Sequence, residues 1–110
     1  MTKLYKFIRL EKSRDETHKY KATFLNLKTN REKSVSFGAA GMNDYTIYYK
    51  TKGKEEADKH KERYIKRHDK REDFENPITA GSLSRYILWQ EPTIEESLKF
   101  YLNRFKGLIE

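Results

Sequence analysis

In PITAGSLSRYILW, Pro77 to Trp89, a chain dominated by Lys, Arg, Glu and Tyr stops being polar. From Leu83 to Trp89 only Ser84 and Arg85 are polar. A helix that is apolar on nearly every side has to be enclosed by other elements, so this is the expected central helix. Thr79 suits its N-cap and Pro77 marks the boundary just upstream, while Gln90-Glu91-Pro92 ends it.

Downstream, Thr93 and Glu96 form a capping-box pair, and Ile94, Leu98, Tyr101, Leu102, Phe105, Leu108 and Ile109 recur at helical spacing. Lys99, Asn103 and Lys106 then face water. Upstream, Lys54 to about Lys70 carries Glu55/Lys59 and Glu62/Lys66 at i,i+4, with Ala57, His60, Lys61, Tyr64, Ile65 and His68 as its inward stripe. Phe74 anchors the polar link that follows.

The N-terminal third alternates instead. Thr2 to Leu10 reads as a strand with Leu4, Ile8 and Leu10 opposite Tyr5, Phe7 and Arg9, and Tyr20 to Leu27 reads as a second. A connection centred on Asn30 leads to a third strand, with Val35 and Phe37 on one face. Gly38-Ala39-Ala40-Gly41 stops that strand or brings the backbone close to a neighbour, and Asn43 to Thr51 reads as extended from its alternating Tyr45, Ile47 and Tyr49. Strands followed by helices predict an α+β fold: an antiparallel sheet of three to four strands against three helices, as one domain over 1–110, with a basic strand-rich half (1–53) and a helical half (54–110).

Composition narrows the function classes. The chain has 110 residues, 37% charged, with 8 Tyr and 6 Phe to supply a core and no Cys. Without Cys there is no disulfide framework and no thiolate for zinc or nucleophilic chemistry. Neither a membrane span nor a signal peptide is visible, so the expected address is intracellular, without membrane insertion.

The formal charge is +7, and residues 1–37 hold ten Lys/Arg against four Asp/Glu, whereas 54–76 hold eight of each. The ten are Lys3, Lys6, Arg9, Lys12, Arg14, Lys19, Lys21, Lys28, Arg31 and Lys33, interleaved with Tyr5, Phe7 and Tyr20. A basic sheet of this kind can track phosphates while its aromatics stack on exposed bases. The same lysines also serve an ordinary solvated sheet, where they discourage edge-to-edge pairing.

The stretch 77–89, with YIKRHDKREDFEN at 64–76 and FGAAGMNDYT at 37–46, resembles a family of short basic proteins encoded mainly by large double-stranded DNA viruses of algae and protists. The resemblance runs from about Val35 to Phe105 and rests on Arg67-His68, Thr79-Ala80-Gly81, Ser84-Arg85 and Leu88-Trp89. Phe74 and Tyr86 stand where such relatives commonly carry tryptophan. It implies a viral setting, in the infected cell or the virion, and no activity.

Enzyme chemistry is weakly represented. His60 and His68 are about 12 Å apart along a helix, too far to share a metal with Glu72, so no metal or cofactor is expected. A Mg²⁺ nuclease would draw on Asp44, Glu72 and Asp73, whose spacing is not diagnostic. Ser82 and Ser84 lack a nucleophile elbow, and Gly38 to Gly41 is no phosphate loop. The structural roles fall to Tyr64 and His68 packed together, to Trp89 in the core, and to Arg85 held against an acid (Glu72, Asp73, Glu95 or Glu96) or carbonyls. The expectation is a non-enzymatic protein binding nucleic acid, foremost double-stranded DNA, with little sequence preference; a structural partner of virus-particle proteins is the alternative and the nuclease a third.

Overall fold

A computed structural model describes residues 3–70 and 73–110. Three antiparallel strands, β1 (Tyr5–Lys12), β2 (His18–Asn26) and β3 (Arg31–Ala39), lie in the order β1-β2-β3. Four helices follow: α1 (Tyr45–Lys52), α2 (Lys54–His68), α3 (Ala80–Leu83), which runs on as a π-helical turn over Ser84–Leu88, and α4 (Ile94–Arg104). The fold is α+β.

Cross-strand partners share a face. Phe7, Phe24 and Lys33 are aligned, as are Leu10, Ala22 and Val35, whereas Arg9, Thr23 and Ser34 lie on the opposite side. The register shifts between Phe7 and Arg9, so Ile8 is an extra residue. That bulge corrects the reading of β1: it reverses parity halfway, placing Leu10 on the same face as Phe7 and turning Arg9 to the opposite one from Phe7. Two alternating phases in the sequence thus serve one buried face. Phe24, fully buried, is its centre, with Tyr5, Phe7 and Tyr101 rings 6.4, 5.8 and 6.5 Å away.

Asn30 takes φ 58° in the β2–β3 turn, where Asn26 Oδ1 accepts the N–H groups of Lys28 and Thr29. The outer edge of β1 is covered by the chain's last residues: Leu108 O accepts from Leu4 N, and Glu110 N donates to Tyr5 O at 2.7 Å. The other edge, β3, is exposed from Arg31 to Ser34.

Two expectations are corrected. Asn43 to Thr51 is not extended; Tyr45 to Lys52 is helical, capped by Asp44, whose Oδ1 accepts from Ile47 N at 3.2 Å. Gly53 at φ 90° then separates α1 from α2, so the described residues hold four helices rather than the three expected. The strand also continues past Phe37 to Ala39, because Gly38 at φ 79° lets β3 pass Leu88 at a distance no side chain would allow.

The expected central helix is buried at Ser82, Leu83 and Tyr86 to Trp89. Thr79 Oγ1 caps it by accepting Ser82 N, and Trp89 N donates to Ser84 O, five residues back, giving the wide turn. Thr93 caps α4 reciprocally with Glu96. Buried residues from the sheet and all the helices form one cluster, and Tyr101 Oη crosses it to donate to Pro77 O at 2.6 Å.

Candidate functional site

The ten N-terminal cations do not form one track. Lys19 Nζ donates to Asp44 Oδ2 at 2.6 Å, with side chains only 13% and 4% exposed, so this lysine is committed to the fold. Arg9 and Lys21 share Glu11, at 2.8 and 3.6 Å, which holds the Glu11 carboxyl below the usual range, chiefly through the Arg9 hydrogen bond. Lys12 and Arg14 lie at the β1–β2 turn beside Asp15 and Glu16. Asp15 caps that turn, accepting from Thr17 and His18, and its carboxyl is depressed mainly by the Thr17 hydroxyl.

The remaining five gather at the opposite end of the sheet. Arg31 is level with Asn26 and Tyr5, Lys33 with Phe24 and Phe7, and Lys6 with Leu25, while Lys28 sits in the turn and Lys3 precedes β1. All five are exposed, and none forms an ion pair among the described residues. Arg31 and Lys33 share the face of Phe24 and Lys6 lies on the other, so the five border this end of the sheet from both sides. Glu32 is their acidic neighbour on β3.

A second feature was not legible in the sequence. β3, α1, α2 and the α3/π-helical unit enclose a cleft of about 520 Å³, lined among others by Gly38, Asp44, Tyr48, Arg63, Arg67 and Trp89. Tyr48 and His60 rings stack at 3.7 Å and 2°, and Tyr64 and Trp89 at 4.5 Å and 7°. His68 lies against Tyr64 at 4.2 Å, as its place on the inward stripe predicts. Trp89 and Tyr64 are core, 8% and 7% exposed, and Arg63 and Arg67 stand exposed at the rim. These residues come from four separate segments, and the only sequence signal was that 37–46, 64–76 and 77–89 each stood out.

Arg85 is half-buried as expected and, of the two kinds of partner expected for it, meets a carbonyl rather than an acid among the described residues. Its Nη1 donates to Gln90 Oε1 at 2.7 Å and its guanidinium lies 4.9 Å from the Tyr86 ring, with Arg104 at 4.8 Å from the same ring. Burial, more than any charge, lowers its proton affinity. Of the acids proposed for it, Glu72 lies outside the described residues; Asp73 is exposed and accepts from Glu75 N.

Asp44, the first nuclease candidate, is consumed by capping α1 and pairing Lys19. Among the described residues no three His, Asp or Glu side chains converge as a metal site, and no helix is long and apolar enough to cross a membrane.

A family profile described as a family of unknown function (DUF5754) matches residues 8–68, which takes in the sheet from the bulge at Ile8 onward, α1 and α2. That range overlaps the expected resemblance only over its first part and leaves 77–89 outside. No curated protein and no solved structure matches the chain.

Proposed function

We propose a function for a chain that belongs to a family of unknown function, DUF5754: non-enzymatic binding of nucleic acid with little sequence preference. The observation that carries it is the cluster of Lys3, Lys6, Lys28, Arg31 and Lys33, exposed and without ion pairs among the described residues. Phosphates meeting such a cluster release counterions and are bound through charge alone. Double-stranded DNA is the simplest partner, since the cluster offers donors to a backbone rather than a reading element for base edges. The resemblance to proteins of large DNA viruses supports viral DNA as the polyanion, in the infected cell or packaged in the particle.

The test is fluorescence anisotropy of a labelled duplex across a salt series. Affinity should fall log-linearly, with a slope no steeper than about −4.5 for five contacts. Replacing Lys6, Lys28, Arg31 and Lys33 by Gln should flatten that slope, whereas Lys12→Gln with Arg14→Gln should change it little. No binding by the folded protein at low salt would refute the reading, and Mg²⁺-dependent shortening of the duplex would revive the nuclease.

A second reading, a structural component of a virus particle, is favoured by the exposed edge of β3, which can accept a strand from another chain. Lysine and arginine on that edge also protect it from chance pairing.

A further inference from the structure

The cleft has no part in the sheet reading and has the makings of a separate binding site. We propose that it binds a phosphorylated nucleoside, the phosphate held by Arg63 and Arg67 at the rim and the planar base lying along the aromatic wall that begins with Tyr48 and His60.

Electrostatics select an anion. Asp44 is the only carboxylate among the described residues that line the cleft, and Lys19 neutralises it at 2.6 Å. Against it stand Arg63 and Arg67, one turn apart on α2. Helix α2 holds six Lys/Arg against four Asp/Glu, and the excess lies in its second part: Lys54, Lys59 and Lys61 nearly offset Glu55, Glu56, Asp58 and Glu62 in the first, whereas Arg63, Lys66 and Arg67 in the second are joined by no acid of the helix. The cleft opens on the basic part. Two guanidiniums at i,i+4 point the same way from a helix and offer forked donors matched to a phosphate.

The rest of the wall selects a ring. Met42, Leu88 and Trp89 line the cleft with Tyr48 and His60, so a bare phosphate would leave apolar surface wet. Tyr48 and His60 are parallel within 2° and both remain half-buried, so their stack can be extended by one more planar group. Tyr64 stacked on Trp89 backs that wall and holds it in place. The volume of about 520 Å³ falls in the range of small-ligand sites. The π-helical turn at Ser84–Leu88, a feature that recurs at functional sites, forms one side, contributing Ser84 and Leu88. A free nucleotide and the phosphorylated end of a strand present the same chemistry.

Trp89 is the only tryptophan and lines the cleft, so its fluorescence reports occupancy. The full chain would be titrated with adenosine monophosphate, adenosine, inorganic phosphate, and a short oligonucleotide with and without a 5′ phosphate, with calorimetry in parallel. Saturable binding of the monophosphate is expected, about tenfold or more tighter than adenosine or phosphate alone. Preference for the 5′-phosphorylated oligonucleotide over the free monophosphate would identify a strand end as the source; the reverse would identify a free nucleotide.

Arg63→Gln with Arg67→Gln should weaken binding by about tenfold or more at unchanged melting temperature. Ala80→Phe, at an exposed lining position, should occlude the cleft and abolish binding. Replacing Lys6, Lys28, Arg31 and Lys33 should leave nucleotide binding intact, which separates this site from the sheet cluster. Absence of saturable binding by the folded protein, equal affinity for adenosine, or full binding by both cleft variants would overturn the proposal.

Discussion

Lys19 on β2 and Asp44 at the start of α1 meet at 2.6 Å as a largely buried pair at the wall of the cleft, and the same carboxylate caps the helix through Ile47 N. Sheet and first helix are thus joined through one acid. Removing a partner from a buried pair leaves the other charge uncompensated, so Lys19→Met should cost about 3 kcal/mol. Asp44→Ala should cost at least as much, because the α1 cap goes with it. Urea midpoints measure both, and a loss below about 1 kcal/mol for either would mean the site is wet.

Gly38 and Leu88 offer a steric test. A Cβ on Gly38 would stand 2.7 Å from Leu88 Cδ1 and on a backbone at φ 79°. Gly38→Ala should therefore destabilise by about 2–3 kcal/mol, combining overpacking with the penalty for a left-handed alanine. Leu88→Ala alone should cost about 2–5 kcal/mol. In the Leu88→Ala background the Gly38→Ala penalty should drop to the backbone part, about 1–2 kcal/mol. Additive losses would contradict the contact.

Arg85 separates a neutral partner from an acidic one. Because Gln90 rather than a carboxylate accepts its hydrogen bond, Arg85→Leu leaves no buried anion and should change stability by only about 1 kcal/mol. Lys61, which donates to Gln90 O at 3.0 Å, has its proton affinity lowered first by burial and then by Arg85. The substitution should raise the Lys61 pKa, read by NMR titration of its ammonium.

Tyr101, like Tyr45, contributes to the alkaline limit. Burial raises its pKa well above the ordinary tyrosine value, and its hydroxyl donates to Pro77 O. Below about pH 10 both folded and unfolded chains keep the proton and the contribution is constant; above it only the unfolded chain ionises. Stability should then fall by up to about 1.4 kcal/mol per pH unit from this group as pH rises towards the folded pKa. Tyr101→Phe should cost about 1–2 kcal/mol at neutral pH and make the alkaline loss shallower in pH-dependent urea melts.

Local patterns along the chain were sufficient for several elements. The Thr93/Glu96 box, the Thr79 cap, the turn at Asn30 and the inward stripe of α2 are each set by residues within one or two turns, where hydrogen-bond reach and side-chain period leave little choice. Packing decided the rest. Tyr45, Ile47 and Tyr49 alternate like a strand, yet α1 forms, because Asp44 is anchored by Lys19 from 25 residues away. Ile8 becomes a bulge because the sheet needs Phe7 and Leu10 on one face. Of ten cations alike in composition, register gathers five at one end and spends Lys19 inside. The cleft, too, exists only where β3, α1, α2 and the π-helical turn meet, since no local period can bring Gly38, Tyr48, Arg63 and Trp89 to one wall.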